Sequence, residues 1–522
     1  MIIFGPWALG TTQRWSIETV NVGGYVLGGL LAAKWLIRRF TGYQAGGSDP
    51  RGVTDEREQI GSRVVSPSAE REVADQRRSS QRGLMVTLGA LTILILVYTA
   101  VSALNPRAVY KPWLQLFEYQ QYNRWLPHSY DPASTWSVFR MYLGLACFFW
   151  AIWDWLSGGP RRDHHEPKLR RSEIEAGHRG GLAQSEIARL GVGPLGPGRR
   201  HVPLAEPLPR RLQLLLWVLC INGSLLALEA ILQRLSGTNK LLWLAVPMFN
   251  TACESQFGPY AYRANAATYF NLIWPVCLGL WLVLRQSARP SLAPGHRVGS
   301  GHYLVLLPGA VLMAACPIIS TSRGGALVAV AAIGVSMVLL LQISRHETRL
   351  FRYGTCALFI VILGFSAFLG LRQLVPRFQT IFTDQMSQRT EIYENALPLA
   401  REFPVFGIGP GTFGSVYQLY RRTLSQEWHA YLHDDWLETR ITFGWVGFVI
   451  ILLMLGMVVL RWFRGGGLPV SWELVSMIWI AMGGCLLHAK FDFPFQIYSI
   501  TQLFLVLCAI LASSGRVTTA RA

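Results

Sequence analysis

Long apolar runs separated by polar connections decide what this chain can fold into. Eleven runs approach the ~20 residues that cross a hydrocarbon layer: roughly 17–37, 84–104, 136–156, 212–234, 266–284, 303–320, 324–343, 353–371, 441–460, 473–490 and 497–513. A soluble core would show shorter runs with periodic polar breaks. Composition agrees, since 15% of the 522 residues are charged, against about 25% in soluble domains. The expected fold is all-α: a polytopic transmembrane helical bundle of about 11–12 spans with a large extracytoplasmic loop, forming a single integral membrane domain over 1–522.

The formal charge of +18 does not call for nucleic acid, because the basic residues sit mostly between the runs, as the positive-inside bias requires. The connection 157–211 holds Arg161, Arg162, Lys168, Arg170, Arg171, Arg199, Arg200, Arg210 and Arg211. Arg285, Arg289 and Arg297, then Arg345, Arg349 and Arg352, then Arg461 and Arg464 mark further inside loops. These alternate if the N-terminus is outside and the C-terminus inside. The polar stretches 41–82 and 157–211 then read as cytoplasmic linkers, and 372–440 as a large outside loop. The run LLWLAVPMF, 241–249, is a candidate re-entrant segment. The eight cysteines are scattered without zinc-like spacing, so neither a disulfide framework nor a metal knuckle is expected. The first long run lacks a basic leader and ends in Lys34, Arg38 and Arg39, so no cleavable signal peptide of ordinary form is expected.

The segment 372–440 is dense in groups that bind anions or move protons: Arg372, Arg377, Arg389, Glu391, Glu394, Arg421, Arg422, His429, His433, Asp434, Asp435, Glu438 and Arg440. A carboxylate near an imidazole fixes its tautomer and raises its basicity, so His433 with Asp434 or Asp435 suits a general base for a hydroxyl. Helix capping by Asp and a metal site that includes His429 are the competing readings. Two further outside stretches offer anion sites. Arg263 precedes a span whose first turn carries Asn265 and Thr268, and STSRGG, 320–325, places Arg323 and two glycines at a span start. Guanidinium and free helix N–H groups point the same way there; a snorkelling interfacial arginine and a capped hairpin are the plainer alternatives. GIGPGTFG, 407–414, lacks a following GK[ST], so it reads as a flexible turn and not a nucleotide loop.

STSRGG, RTEIYENALPLAREFPVFGIGPGTF, HDDWLETRITFGWVG and FDFPF, in that order over roughly 258–513, resemble the O-antigen ligase and polymerase-like superfamily of bacterial membrane glycosyltransferases. The resemblance implies a polyprenyl-pyrophosphate-linked glycan donor. It implies an acceptor hydroxyl on glycan, lipid or protein, and a multi-pass protein of the bacterial inner membrane acting at the periplasmic face without metal, nucleotide or other cofactor. It places Arg263, Arg323 and Arg389 at the pyrophosphate and His433 at the acceptor hydroxyl. The chain departs from the family pattern at Asp434, where Asn is usual, and at Thr442, where an acidic residue is frequent. An inverting single displacement needs one base, which His433, oriented by Asp435 or Asp434, would supply. The rival reading is a transporter or flippase for a lipid-linked or anionic substrate, which would carry polar groups deep into the spans; Glu229, Asn222 and Asp492 are the exceptions to an otherwise apolar set.

Overall fold

The computed structural model describes residues 1–41, 67–158, 208–288, 301–379, 386–422, 428–464 and 468–515. The expected linkers 41–82 and 157–211 lie outside the described residues over 42–66 and 159–207, as do Arg289 and Arg297. The described residues are mostly helical, because an apolar run in hydrocarbon must satisfy its own backbone polar groups. In order, the helices are α1 (Arg14–Thr41), α2 (Pro67–Leu104), α3 (Pro132–Ser157), α4 (Arg210–Ser236), α5 (Arg263–Ser287), α6 (Leu306–Ile319), α7 (Arg323–Ile343), α8 (Arg349–Gln379), α9 (Met386–Glu402), α10 (Asp435–Phe463), α11 (Trp472–His488) and α12 (Tyr498–Ser513). Among the described residues, nine helices are long and apolar enough to cross a membrane, and α11 and α12 are shorter apolar helices. Each expected run falls on one of these helices to within three residues. The protein is a polytopic helical membrane protein.

Polar residues set several starts. Asp131 caps α3 through the Ser134 N–H at 3.2 Å, with Pro132 in the first turn. Ser322 caps α7 through Gly325 N–H at 3.2 Å, and Asp434 caps α10 through Leu437 N–H at 3.1 Å. Each supplies an acceptor to a donor that has no partner inside the helix.

Helix α5 is the centre: every residue from Ala264 to Val283 is buried, against α4, α6, α7, α11 and α12. Lipid is as apolar as leucine, so this association depends on close packing and interhelical hydrogen bonds. At Gly325 a Cβ would come within 2.3 Å of the Ala267 Cβ, and Asn271 donates to the Gly325 carbonyl at 2.9 Å. Around this core, α1, α2 and α12 pack on α3, and α10 packs on α2 and α12.

One end of the bundle carries the irregular structure. A hairpin of β1 (Ala108–Lys111) and β2 (Leu116–Tyr119) joins α2 to α3. It packs with Tyr130, Ile392, Leu399, Phe403, Phe413, Tyr417 and Leu432 in one apolar cluster. Arg107 lies over the rings of Tyr122, Tyr130 and Phe403 at 5.0–5.2 Å. Helix α10 breaks at Gly444 (φ 61°), where Trp445 and Val446 N–H groups donate to the carbonyls of Pro404 and Val405, and Ile408 and Gly409 donate to Ile441 and Thr442. The glycine turn 407–411 is therefore packed into this break, where a flexible turn was expected. The carbonyls of Phe406 and Phe443 meet the Tyr98 hydroxyl at 2.7 and 2.8 Å.

The candidate re-entrant segment 241–249 is not helical. Leu242 and Trp243 have positive φ, and Leu241 pairs with Ala245 across a tight turn. Positive φ at consecutive bulky residues is incompatible with a right-handed helix. Within 372–440, α8 extends to Gln379, α9 follows, and α10 starts at Asp435.

Candidate active site

His433 precedes the cap of α10 and adopts φ 60°, a conformation that costs a non-glycine residue about 1–3 kcal/mol and is held only when its surroundings over-determine it. Here the Tyr393 hydroxyl donates to the His433 carbonyl at 3.0 Å, and the N–H of Asp435, two residues on, donates to the Ala489 carbonyl at 2.8 Å. The imidazole stands edge-on to Phe493 (4.8 Å) and Tyr262 (6.1 Å). Phe493 is itself stacked between Tyr262 and Tyr431.

The carboxylate that meets this imidazole is Asp492: His433 Nδ1 lies 3.2 Å from Asp492 Oδ1. Asp492 Oδ1 also accepts from Phe493 N–H at 3.1 Å, and Oδ2 accepts from the Tyr262 hydroxyl at 3.3 Å. The Asp492 side chain is 6% exposed and that of His433 25%, so the carboxylate is shielded while the imidazole remains reachable. Burial pushes the Asp492 carboxyl up, but the hydrogen bond and charge of His433, then His488 and Arg389, outweigh it and hold the group below its ordinary value. Burial, then the charge of Asp492, pushes the Tyr262 phenol up.

Asp434 and Asp435, expected to orient His433, are turned elsewhere. Asp434 caps α10 and pairs with Lys490. Asp435 accepts from Phe495 N–H at 2.7 Å and from Gln496 Nε2 at 3.2 Å. The reason is geometric: both lie at the start of α10, where Asp434 meets an unpaired N–H of the helix and the Lys490 ammonium, and Asp435 meets the Phe495 N–H and Gln496 amide of the chain packed beneath it. Glu438, one turn on, accepts from Leu432 N–H at 2.7 Å. His429 stands edge-on to Tyr417 at 5.9 Å. Among the described residues no group of three or more His, Cys, Asp or Glu is placed to hold a metal ion.

The segment 488–493 gathers the arginine-bearing elements. Arg389, in α9, donates from Nη1 to the Phe491 carbonyl at 2.7 Å, and its charge bears on Tyr262, Tyr393 and Asp492. Arg263, the first residue of α5, follows Tyr262 and donates to the Glu254 carbonyl at 2.6 Å. Arg323 opens α7, whose Gly324 lies against His488: a Cβ there would be 2.9 Å from His488 Nε2. The His488 Nδ1 is 2.7 Å from the Thr268 hydroxyl of α5. Arg377, at the end of α8, acts electrostatically on Arg234 and is itself influenced by Glu254 and Tyr262. The three expected arginines and His433 thus share one end of the bundle, around a hub that carries Asp492 and His488.

Sequence reasoning had FDFPF in hand as a motif but did not pair its Asp492 with His433, 59 residues away. Tyr262 and His488 carried no short-range signal beyond their position beside Arg263 and in a run's last turn; Arg377 stood among the candidate groups of 372–440 without a role of its own. Comparison with the curated proteins gave no match. Arg263, His488 and Asp492 lie outside the stretch that a family comparison recognises. Residues 308–452, which carry Arg323, Arg389, His433, Asp434 and Asp435, match the family model described as O-antigen ligase, and through them this membrane protein is similar to the O-antigen ligase-like superfamily.

Proposed function

We propose that the protein is a glycosyltransferase of the O-antigen ligase or polysaccharide polymerase type. It moves a glycan from a polyprenyl-pyrophosphate carrier to an acceptor hydroxyl at the periplasmic face of a bacterial inner membrane, for surface polysaccharide ligation or polymerisation. The observation that carries the reading is the His433–Asp492 pair at the arginine-lined end of the bundle, together with the O-antigen ligase match across α6 to α10. The buried carboxylate accepts from Nδ1–H and leaves Nε2 to take the proton of the acceptor hydroxyl. The acceptor oxygen bonds to the anomeric carbon while the bond from that carbon to the pyrophosphate oxygen breaks, inverting the centre; the electron pair leaves with polyprenyl pyrophosphate. Arg263, Arg323 and Arg389 bind the pyrophosphate and neutralise the charge that grows on it, so the reaction proceeds without a metal. Asp492 takes the orienting role in this scheme; Asp434 and Asp435 hold the start of α10 and thereby the backbone of His433. Helix α9, the described residues 403–422 and 428–434, and the hairpin β1–β2 lie on the extracytoplasmic side.

The test is reconstitution: purified protein in liposomes with a polyprenyl-pyrophosphate glycan and an acceptor, with excess chelator. Covalent transfer supports the proposal. Movement of the intact donor across the bilayer without bond change identifies a transporter, and activity lost to chelator and restored by one divalent ion removes the metal-free mechanism.

A further inference from the structure

One face of α4 is an exposed apolar stripe. Ile221, Leu225, Leu228, Leu232 and Leu235 are each 44–63% exposed, and their alternating spacing of four and three residues puts them on one side of the helix. The stripe does not stop where the helix does. Gly237 (φ 66°) turns the chain at the end of α4, and the following segment folds back on the last turn. Gln233 Nε2 donates to the Lys240 carbonyl at 3.0 Å, and the Trp243 indole N–H donates to Ser236 Oγ at 3.1 Å. Leu241, 2% exposed, fastens the turn by donating its N–H to the Ala245 carbonyl at 2.8 Å. The knuckle 241–249 is therefore fixed at the level of the end of a span, where bilayer hydrocarbon gives way to headgroups.

Its remaining apolar side chains point outward: Leu244 is 81% exposed, Met248 85% and Phe249 73%, with Val246 and Trp243 about half exposed. No charged residue interrupts 241–250. Scattered apolar residues on a surface need no explanation, but a contiguous set does. We propose that the knuckle 241–249 is a membrane-inserted element. Leu244, Met248 and Phe249 lie in the hydrocarbon of the leaflet at the candidate-site end, continuing the α4 stripe, and Trp243 lies at headgroup level with its N–H on Ser236. An amphipathic indole prefers that depth. The chain leaving the knuckle runs directly to the arginine cluster: Gln256 Nε2 donates to the Asn250 carbonyl, Arg234 donates to the Cys253 and Gln256 carbonyls, and Arg263 donates to the Glu254 carbonyl. Insertion thus sets the depth at which Arg263 meets the headgroup layer. The inference is independent of the transfer reading.

The experiment is spin-label accessibility in the full chain in liposomes. Leu244→Cys, Met248→Cys and Phe249→Cys are labelled singly, with Asn239→Cys as the aqueous reference and the signal of the identically treated parent subtracted. These side chains are exposed, so the substitutions leave packing intact. Dissolved oxygen should relax the labels at 244, 248 and 249 several-fold more, relative to a water-soluble nickel chelate, than the label at 239. Chelate access equal to that at 239 overturns the proposal, and so does protection from both reagents, which marks a protein contact. Lipid brominated near the headgroup should quench tryptophan emission less in Trp243→Phe than in the parent; unchanged quenching overturns the placement of Trp243.

Discussion

Two acidic stretches face each other at the candidate site, HDDWLE at 433–438 and HAKFDF at 488–493. The first holds three carboxylates beside the expected base, and all three are committed to structure: Asp434 to the α10 cap and Lys490, Asp435 to Phe495 and Gln496, Glu438 to Leu432. The second holds one carboxylate, Asp492, and that one meets the imidazole. Proximity along the chain gave the first stretch the stronger claim. Helix starts, however, present unpaired N–H groups that consume nearby acceptors, whereas a carboxylate from another element is free to approach a side chain.

The comparison breaks most directly at His433. His433→Ala should lower transfer by about 10²–10⁴-fold, the usual worth of a general base, while binding of the lipid-pyrophosphate donor stays near the parental level. Donor binding lost with transfer would move His433 from acceptor activation to donor recognition.

The carboxylates themselves come next. Asp492→Asn should cost on the order of 10²-fold in transfer, because the amide no longer favours the protonated imidazole. Asp434→Asn should remain within about threefold, since Asn caps a helix as well as Asp. Equal losses in the two variants, measured as initial rates on the same donor, would erase the distinction between the stretches.

Arg323→Lys keeps the charge but removes the planar fork that grips two phosphate oxygens. Transfer should drop by about tenfold, roughly one charge-assisted hydrogen bond, with normal abundance in the membrane. Parental rates in both Arg323→Lys and Arg323→Ala would reduce the residue to a feature of the α6–α7 turn.

The smallest effect concerns stability and pH. A carboxylate held below its ordinary value, as Asp492 is, stabilises the folded state above its unfolded value of ~3.9; the contribution fades as pH falls through the lower folded value. Asp492→Asn should therefore be less stable than the parent by about 1–3 kcal/mol near pH 6, and the gap should narrow below about pH 4. Asp434→Asn, which surrenders only a pairing with the half-exposed Lys490, should cost less than ~1 kcal/mol. Thermal unfolding in detergent across this range checks both; a gap for Asp492→Asn that is constant with pH would show that the carboxylate is not ionised through its pairing with His433.

The sequence by itself determined the helical membrane architecture and the position of nearly every helix, because span length and apolarity are local properties enforced by the bilayer. It also singled out His433 and the three arginines as candidates, through motifs that are contiguous in the chain. Tertiary structure alone decided which carboxylate meets the imidazole, that Gly407–Gly411 is packed into a break at Gly444, and that 241–249 turns back on the end of α4. Each of these depends on hydrogen bonds between residues far apart in the chain or on backbone angles that an apolar pattern does not encode. Asp434 and Asp435 stand one and two positions from His433, and Asp492 stands 59 away; only the packing of α11 and α12 beneath the start of α10 brings the distant one within reach.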